Sequence, residues 1–189
     1  MAKLYFYYAA MNAGKSTTLL QAAFNYAERG MATMLFTAAV DDRAGGGRIG
    51  SRIGLGHDAT PFDATTDLAA CVRAAPRVAC VLVDEAQFLT RAQVLQLAAL
   101  CDDDDMPVVT YGLRTDFTGH LFEGSAALLG IADSLIELKA ICECGRKATM
   151  NLRVDGAGRA VVDGAQTEIG GNDRYVALCR KHFMARLNA

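Results

Sequence analysis

The stretch AAMNAGKSTTLL, residues 9–20, carries the residue types of a phosphate-binding loop. Gly14, Lys15 and Ser16 complete the pattern G-x-x-x-x-G-K-[ST], and Ala9 stands where its first glycine belongs. In such a loop the backbone N–H groups, here those of Ala9, Ala10, Met11, Asn12, Ala13 and Gly14 through Thr17, cradle phosphates together with the positive end of the next helix. Lys15 is expected to reach the β/γ-phosphates and Ser16 to hold Mg²⁺. The missing glycine contributes no side-chain contact. Alanine there costs roughly 1–2 kcal/mol if the backbone needs φ > 0, and little otherwise. Downstream, VLVDEAQF closes an apolar run with Asp84, where a Walker-B carboxylate on Mg²⁺ or its water belongs. Glu85, next to it, can accept a proton from an attacking hydroxyl or water. This pair fits a kinase, which binds an alcohol and excludes water, and equally an ATPase, which activates water.

A third group lies in the tail. Cys142 and Cys144 in ICECGRK, with Cys179 and His182 in LCRKH, offer three thiolates and one imidazole, enough for tetrahedral Zn²⁺. No ligand position would stay open, so the zinc would be structural. The segment between the two pairs has few large apolar residues, and a unit this small often needs metal to stay folded. Cys71, Cys80 and Cys101 sit in apolar patterns and read as core, while His57 and His120 sit in loops and read as solvated or locally bonded.

These residues need elements to position them. KLYFYYA, MATMLFTA, RVACVLVDEAQF, MPVVTYG and SLIELKA read as buried strands. The helical stretches are STTLLQAAFNYAERG, ending at Gly30, TTDLAACVRAA with Thr65 or Thr66 as cap, TRAQVLQLAALC capped by Thr90, and residues 123–131. DDRAGGGRIGSRIGLGHD is too glycine-rich for regular structure and is expected to be a mobile loop. The alternation predicts an α/β core with a parallel sheet covered on both faces. After about Leu138 the style changes. ATMNLRV and RAVVDG, split by DGAG, suggest a hairpin. The expected division is residues 1–138 and residues 139–189.

Composition narrows the function classes. The 189 residues are 52% hydrophobic and 21% charged, ordinary for a globular chain. No apolar run approaches the ~20 residues of a membrane helix. The start lacks a cleavable-signal layout, so the cytoplasm is expected. Net charge is −2, unevenly spread: residues 139–189 carry nine Lys and Arg against five Asp and Glu, the first 138 carry ten against sixteen. The basic tail leaves one rival reading, a zinc-ribbon, nucleic-acid-dependent P-loop ATPase. Against it, the tail lacks a dense Lys/Arg run with interleaved aromatics.

Taken together, AMNAGKS, TAAVDDR, VLVDEAQF, YGLRTDF, ICECGRKA and IGGNDRYVALCRKH resemble the type II thymidine kinases, the cytosolic, zinc-containing kind. Ala9 and the C-x-C spacing depart from most of that family but occur in a bacterial branch, which the opening LYFYYAAMNAGKS also resembles. The resemblance implies a RecA-like P-loop core and a small zinc domain whose lasso closes over the nucleoside. It implies transfer of the γ-phosphoryl group of ATP to the 5′-hydroxyl of thymidine, a homotetramer with feedback inhibition by the end-product triphosphate, and no nucleic-acid or membrane partner. By motif position, Glu85 would be the general base, Lys15, Ser16 and Asp84 the phosphate and Mg²⁺ groups, Gln87 a further nucleotide-site residue, and Arg43 a group near the transferring phosphate. Met11, Phe88, Leu113, Phe117 and Tyr175 fall at pocket positions, and Ile169, Gly170 and Gly171 in the lasso.

Overall fold

The computed structural model describes residues 1–41, 45–166 and 174–188. In chain order the first half contains β1 (Leu4–Ala9), α1 (Lys15–Ala27), β2 (Ala32–Ala38), β3 (Arg48–Gly50), β4 (Gly56–Asp58), β5 (Thr60–Phe62), α2 (Leu68–Ala74) and β6 (Val78–Val83). A 3-10 turn (Ala86–Phe88), α3 (Arg91–Asp104), β7 (Val108–Leu113), α4 (Glu123–Ile131) and β8 (Ser134–Glu137) follow. The tail holds β9 (Ala140–Ile141), β10 (Lys147–Ala148), β11 (Met150–Arg153), β12 (Tyr175–Leu178) and α5 (Arg180–Leu187). No helix among the described residues is long and apolar enough to cross a membrane.

Six strands form one sheet in the order β5-β2-β6-β7-β1-β8, parallel throughout. Parallel strands buried on both faces must be apolar at nearly every position, and successive side chains serve opposite faces. In β6, Cys80 and Leu82 pack with Leu19, Leu20 and Ala23 of α1, whereas Val81 and Val83 face the other way. There they meet Leu68 and Val72 of α2, Leu97 and Leu100 of α3, and Leu128 of α4. Burying each such side chain contributes about 1.5–3 kcal/mol. Thr90 caps α3 through a capping box with Gln93, worth about 1 kcal/mol.

Several expectations need correction. The cap of α2 is Asp67, which accepts the Ala70 N–H at 2.9 Å; Thr65 and Thr66 instead bond Asp63 in the preceding turn. Part of the glycine-rich stretch is regular: β3 and β4 pair as an antiparallel ribbon. One apolar residue explains why, since Ile49 is 2% exposed and anchors the ribbon against the α1 core. The edge strand β5 was not expected, because Pro61 weakens the strand pattern and is tolerated only at an edge. In the tail the hairpin across DGAG forms but is short: the Asp155 N–H donates to the Arg159 carbonyl and the Val161 N–H to that of Arg153, around the Val154–Ala160 bridge. The longer partner of β11 is β12, which supplies Leu178 to the core.

A second apolar cluster forms in the tail around Leu152, Leu178 and Phe183. Ala10 and Ala13 of the phosphate loop belong to it, so the tail packs directly on that loop.

Candidate active site

In open α/β sheets, ligands bind beyond the carboxyl ends of the strands. Here β6, β7 and β1 lie side by side, and each delivers a motif at its carboxyl end. β1 ends at Ala9, and α1 begins at Lys15. Ala9 is an ordinary buried strand residue in register with Leu113; the left-handed backbone falls at Asn12 (φ 66°) and Gly14 (φ 80°). The strain that position 9 could have imposed does not arise.

Lys15 is folded over the loop, its Nζ donating to the Ala10 carbonyl at 3.1 Å. Ser16 Oγ donates to Asp84 Oδ2 at 2.9 Å, joining two groups 68 residues apart in sequence. Asp84 Oδ1 accepts the Glu85 N–H at 3.0 Å. Burial raises the Asp84 carboxyl above the ordinary carboxylate range, and the neighbouring Glu85 charge adds to this; the Ser16 hydrogen bond opposes it. A hydroxyl and a buried carboxylate beside a phosphate loop are the donor set of a hard cation, and a bound cation would reverse that shift.

Glu85 itself has left-handed backbone (φ 52°, ψ 39°), which costs a non-glycine residue roughly 1–2 kcal/mol. Its surroundings fix it there. Gln87 Nε2 donates to Glu85 Oε2 at 2.5 Å, and Gln87 Oε1 accepts the Leu113 N–H at 2.9 Å. From behind, α4 presses on the turn at Gly124, where a Cβ would lie 2.5 Å from the Ala86 carbonyl oxygen and 2.7 Å from that of Leu89. Only glycine allows this approach. Strain over-determined by its neighbours is typical of functional positions.

These groups open onto a cavity of about 700 Å³. Asn12, Gly14, Lys15, Ser16, Thr17, Asp84, Glu85 and Gln87 line it, and so do Met11, Phe88, Leu113, Phe117 and Tyr175. Ala9, Ala10 and Ala13 are not among the lining residues. Arg43, Ile169, Gly170 and Gly171 lie outside the described residues.

Among the lining residues not singled out in the sequence are the polar Asp116, Asn151 and Gln166. Asn151 Oδ1 accepts the Met11 N–H at 2.7 Å across 140 residues, and no local pattern marks such a contact. Asp116 had a clue, since it precedes Phe117 in RTDF. Burial alone would raise its carboxyl, but hydrogen bonds from the Thr118 hydroxyl, Gln166 and the Thr118 and His120 amides hold it below its ordinary value.

The tail brings Cys142, Cys144, Cys179 and His182 together, all four ligand atoms within 4.8 Å of one another. Cys142 Sγ lies 3.4 Å from His182 Nδ1, and Cys144 Sγ 3.9 Å from Cys179 Sγ. Tetrahedral zinc with bonds of about 2.3 Å to sulfur separates two thiolates by roughly 3.8 Å, so the cluster has the size of a Cys₃His zinc site. Burial opposes ionisation of Cys142, yet the amides of Cys144 and Cys179 and the His182 ring bring its thiol below the usual value, toward the thiolate a metal requires. The β9–β10 ribbon presents the first two ligands, and Cys179 stands at the start of α5, which carries His182. Cys80 and Cys101 are buried, and His57 and His120 bond locally to Asp58 and Thr118.

A family model described as thymidine kinase matches residues 2–183. The chain is 74% identical over 186 residues to a thymidine kinase of Novosphingobium aromaticivorans, covering 97% of each chain. It is 61% identical over 186 residues to one of Ruegeria pomeroyi, covering 97% of this chain and 94% of that one. To one of Photobacterium profundum it is 57% identical over 190 residues, covering 99% of each.

Proposed function

Because this chain belongs to the thymidine kinase family, we propose that it transfers the γ-phosphoryl group of ATP to the 5′-hydroxyl of thymidine, giving dTMP and ADP. The observation that carries this reading is the single cavity. A phosphate loop and an apolar wall open into one space of about 700 Å³, with Glu85 lining it as well. A pyrimidine nucleoside needs such a wall and a few fixed polar groups.

The roles follow from chemistry. The loop from Ala9 to Thr17 holds the ATP phosphates, with Lys15 neutralising charge. Ser16 and Asp84 would hold Mg²⁺, which, when bound, offsets charge on the β- and γ-phosphates. Glu85 accepts the proton of the 5′-hydroxyl as its oxygen bonds to the γ-phosphorus and the bond to the bridging oxygen of ADP breaks. Gln87 orients the Glu85 carboxylate. Arg43 stabilises charge on the transferring group. Met11, Phe88, Leu113, Phe117 and Tyr175 enclose the nucleoside, and Ile169, Gly170 and Gly171 bind it largely through main-chain groups.

We divide the chain into a nucleotide-binding unit, residues 1–138, and a unit held by zinc on Cys142, Cys144, Cys179 and His182, residues 139–189. The same reading makes the protein a cytoplasmic homotetramer acting in nucleoside salvage, without nucleic-acid or membrane partners. Incubation with γ-labelled ATP and each nucleoside tests the assignment. Label is expected in dTMP. Label found only in free phosphate, and stimulated by DNA or RNA, would overturn it in favour of an ATPase.

A further inference from the structure

Arg153 is a charged side chain that the apolar tail core has no reason to bury, yet it is 3% exposed. A buried guanidinium is costly unless its surroundings satisfy it. Here its carbon lies 3.6 Å from the centroid of the Phe117 ring, a cation–π contact at close range. Nη1 donates to the Ala165 carbonyl at 3.1 Å, and Nη2 to that of Asp163 at 3.4 Å. Between those carbonyls, the backbone of Gly164 (φ 129°) runs so near that a Cβ would lie 2.7 Å from Nη2. The chain therefore wraps the guanidinium on one side while Phe117 faces it on the other.

The wrapped segment is fixed at a second point. Gln166 Nε2 donates to Asp116 Oδ2 at 3.0 Å, and both residues line the cavity. Tyr175, which also lines it, is the cross-strand partner of Arg153. Arg153 is not among the lining residues. It touches what the acceptor would touch, from behind.

We propose that Arg153 is a positioning residue for the acceptor pocket: it braces the Phe117 ring and fastens residues 163–166 against the cavity. This rests on the nucleoside-binding reading of that wall. A pocket set in advance binds without the cost of ordering its walls, so loss of the clasp falls on acceptor affinity rather than on the chemical step. Lysine could lie over the ring, but its ammonium lacks the planar fork that spans two carbonyls.

Steady-state kinetics on the full chain test this. In Arg153→Met, KM for thymidine is expected to rise about tenfold or more, with KM for ATP and kcat each within about threefold of wild type. Arg153→Lys should fall between. Gly164→Ala leaves the arginine in place, disturbs an exposed segment and pushes it off the guanidinium; the same rise in thymidine KM, with zinc content unchanged, is expected. Because Arg153→Met could weaken the fold, Gly164→Ala carries the test if that variant loses zinc. Unchanged thymidine KM in Gly164→Ala overturns the inference, as does a rise in both KM values together. Absence of dTMP formation by the wild-type chain overturns the thymidine reading and the inference with it.

Discussion

On the proposed assignment, the donor side and the acceptor side of the cavity are built in opposite ways. Lys15, Ser16, Asp84 and Glu85 stand at the carboxyl ends of adjacent parallel strands, where a short loop or turn needs only to follow the strand. The acceptor side is gathered from Phe117 after β7, Asn151 on β11, Gln166 beyond it and Tyr175 on β12. One side inherits its geometry from the sheet. The other acquires it from contacts between distant segments, several of them in the part of the chain that the Cys₃His cluster ties together.

Removing the metal should separate the two sides most sharply. Cys179→Ser is expected to release zinc and unfold the tail, since structural zinc sites are worth about 10 kcal/mol or more. Thymidine binding should vanish, while nucleotide binding should weaken less, through loss of the tail core that covers Ala10 and Ala13 of the phosphate loop. Zinc content by mass spectrometry together with calorimetric titration of ATP checks this, and wild-type metal content would refute the ligand set. Next in size, Glu85→Gln should lower kcat by about 10²–10⁴-fold with the affinity for ATP near normal. Rapid-quench turnover measures it, and an undiminished rate would remove Glu85 from the role of base.

The smallest effect concerns Asp84. Its folded pKa is raised by burial and by Glu85, so the folded chain keeps a proton that the unfolded chain releases. Stability of the metal-free protein should therefore fall as pH rises from about 4 toward neutrality, by at most about 1.4 kcal/mol per pH unit from this group. Asp84→Asn should flatten that slope in urea melts. Mg²⁺ with nucleotide should reverse it in the wild type. A slope equal in both proteins would deny Asp84 its share.

Legibility in the sequence follows the same division. The convergence of Lys15, Ser16, Asp84 and Glu85 could be read because they are neighbours in the chain, Lys15 beside Ser16 and Asp84 beside Glu85, each pair following an apolar run. The metal ligands could be read because their chemistry is rare and they come in close pairs. Asn151, Arg153 and Gln166 could not, because each acts on a partner chosen by tertiary packing. Met11 is 140 residues from Asn151, and Asp116 is 50 from Gln166. The β3–β4 ribbon was hidden for another reason: its glycines dominate the local pattern, while a single buried isoleucine decides the outcome.

The place of β1 in the sheet has a consequence for how the molecule is made. It precedes the other described strands in the chain, yet its neighbours are β7 and β8, so its first partner is complete only at Leu113 and its second at Glu137. Until β7 is in place LYFYYA, six residues without a charge and rich in aromatics, has open edges of the kind that pair with other copies of themselves. Parallel, long-range pairing is also intrinsically slow. The strand that leads into the phosphate loop is thus a segment exposed to aggregation before its partners form, and refolding from denaturant will favour dilute solution.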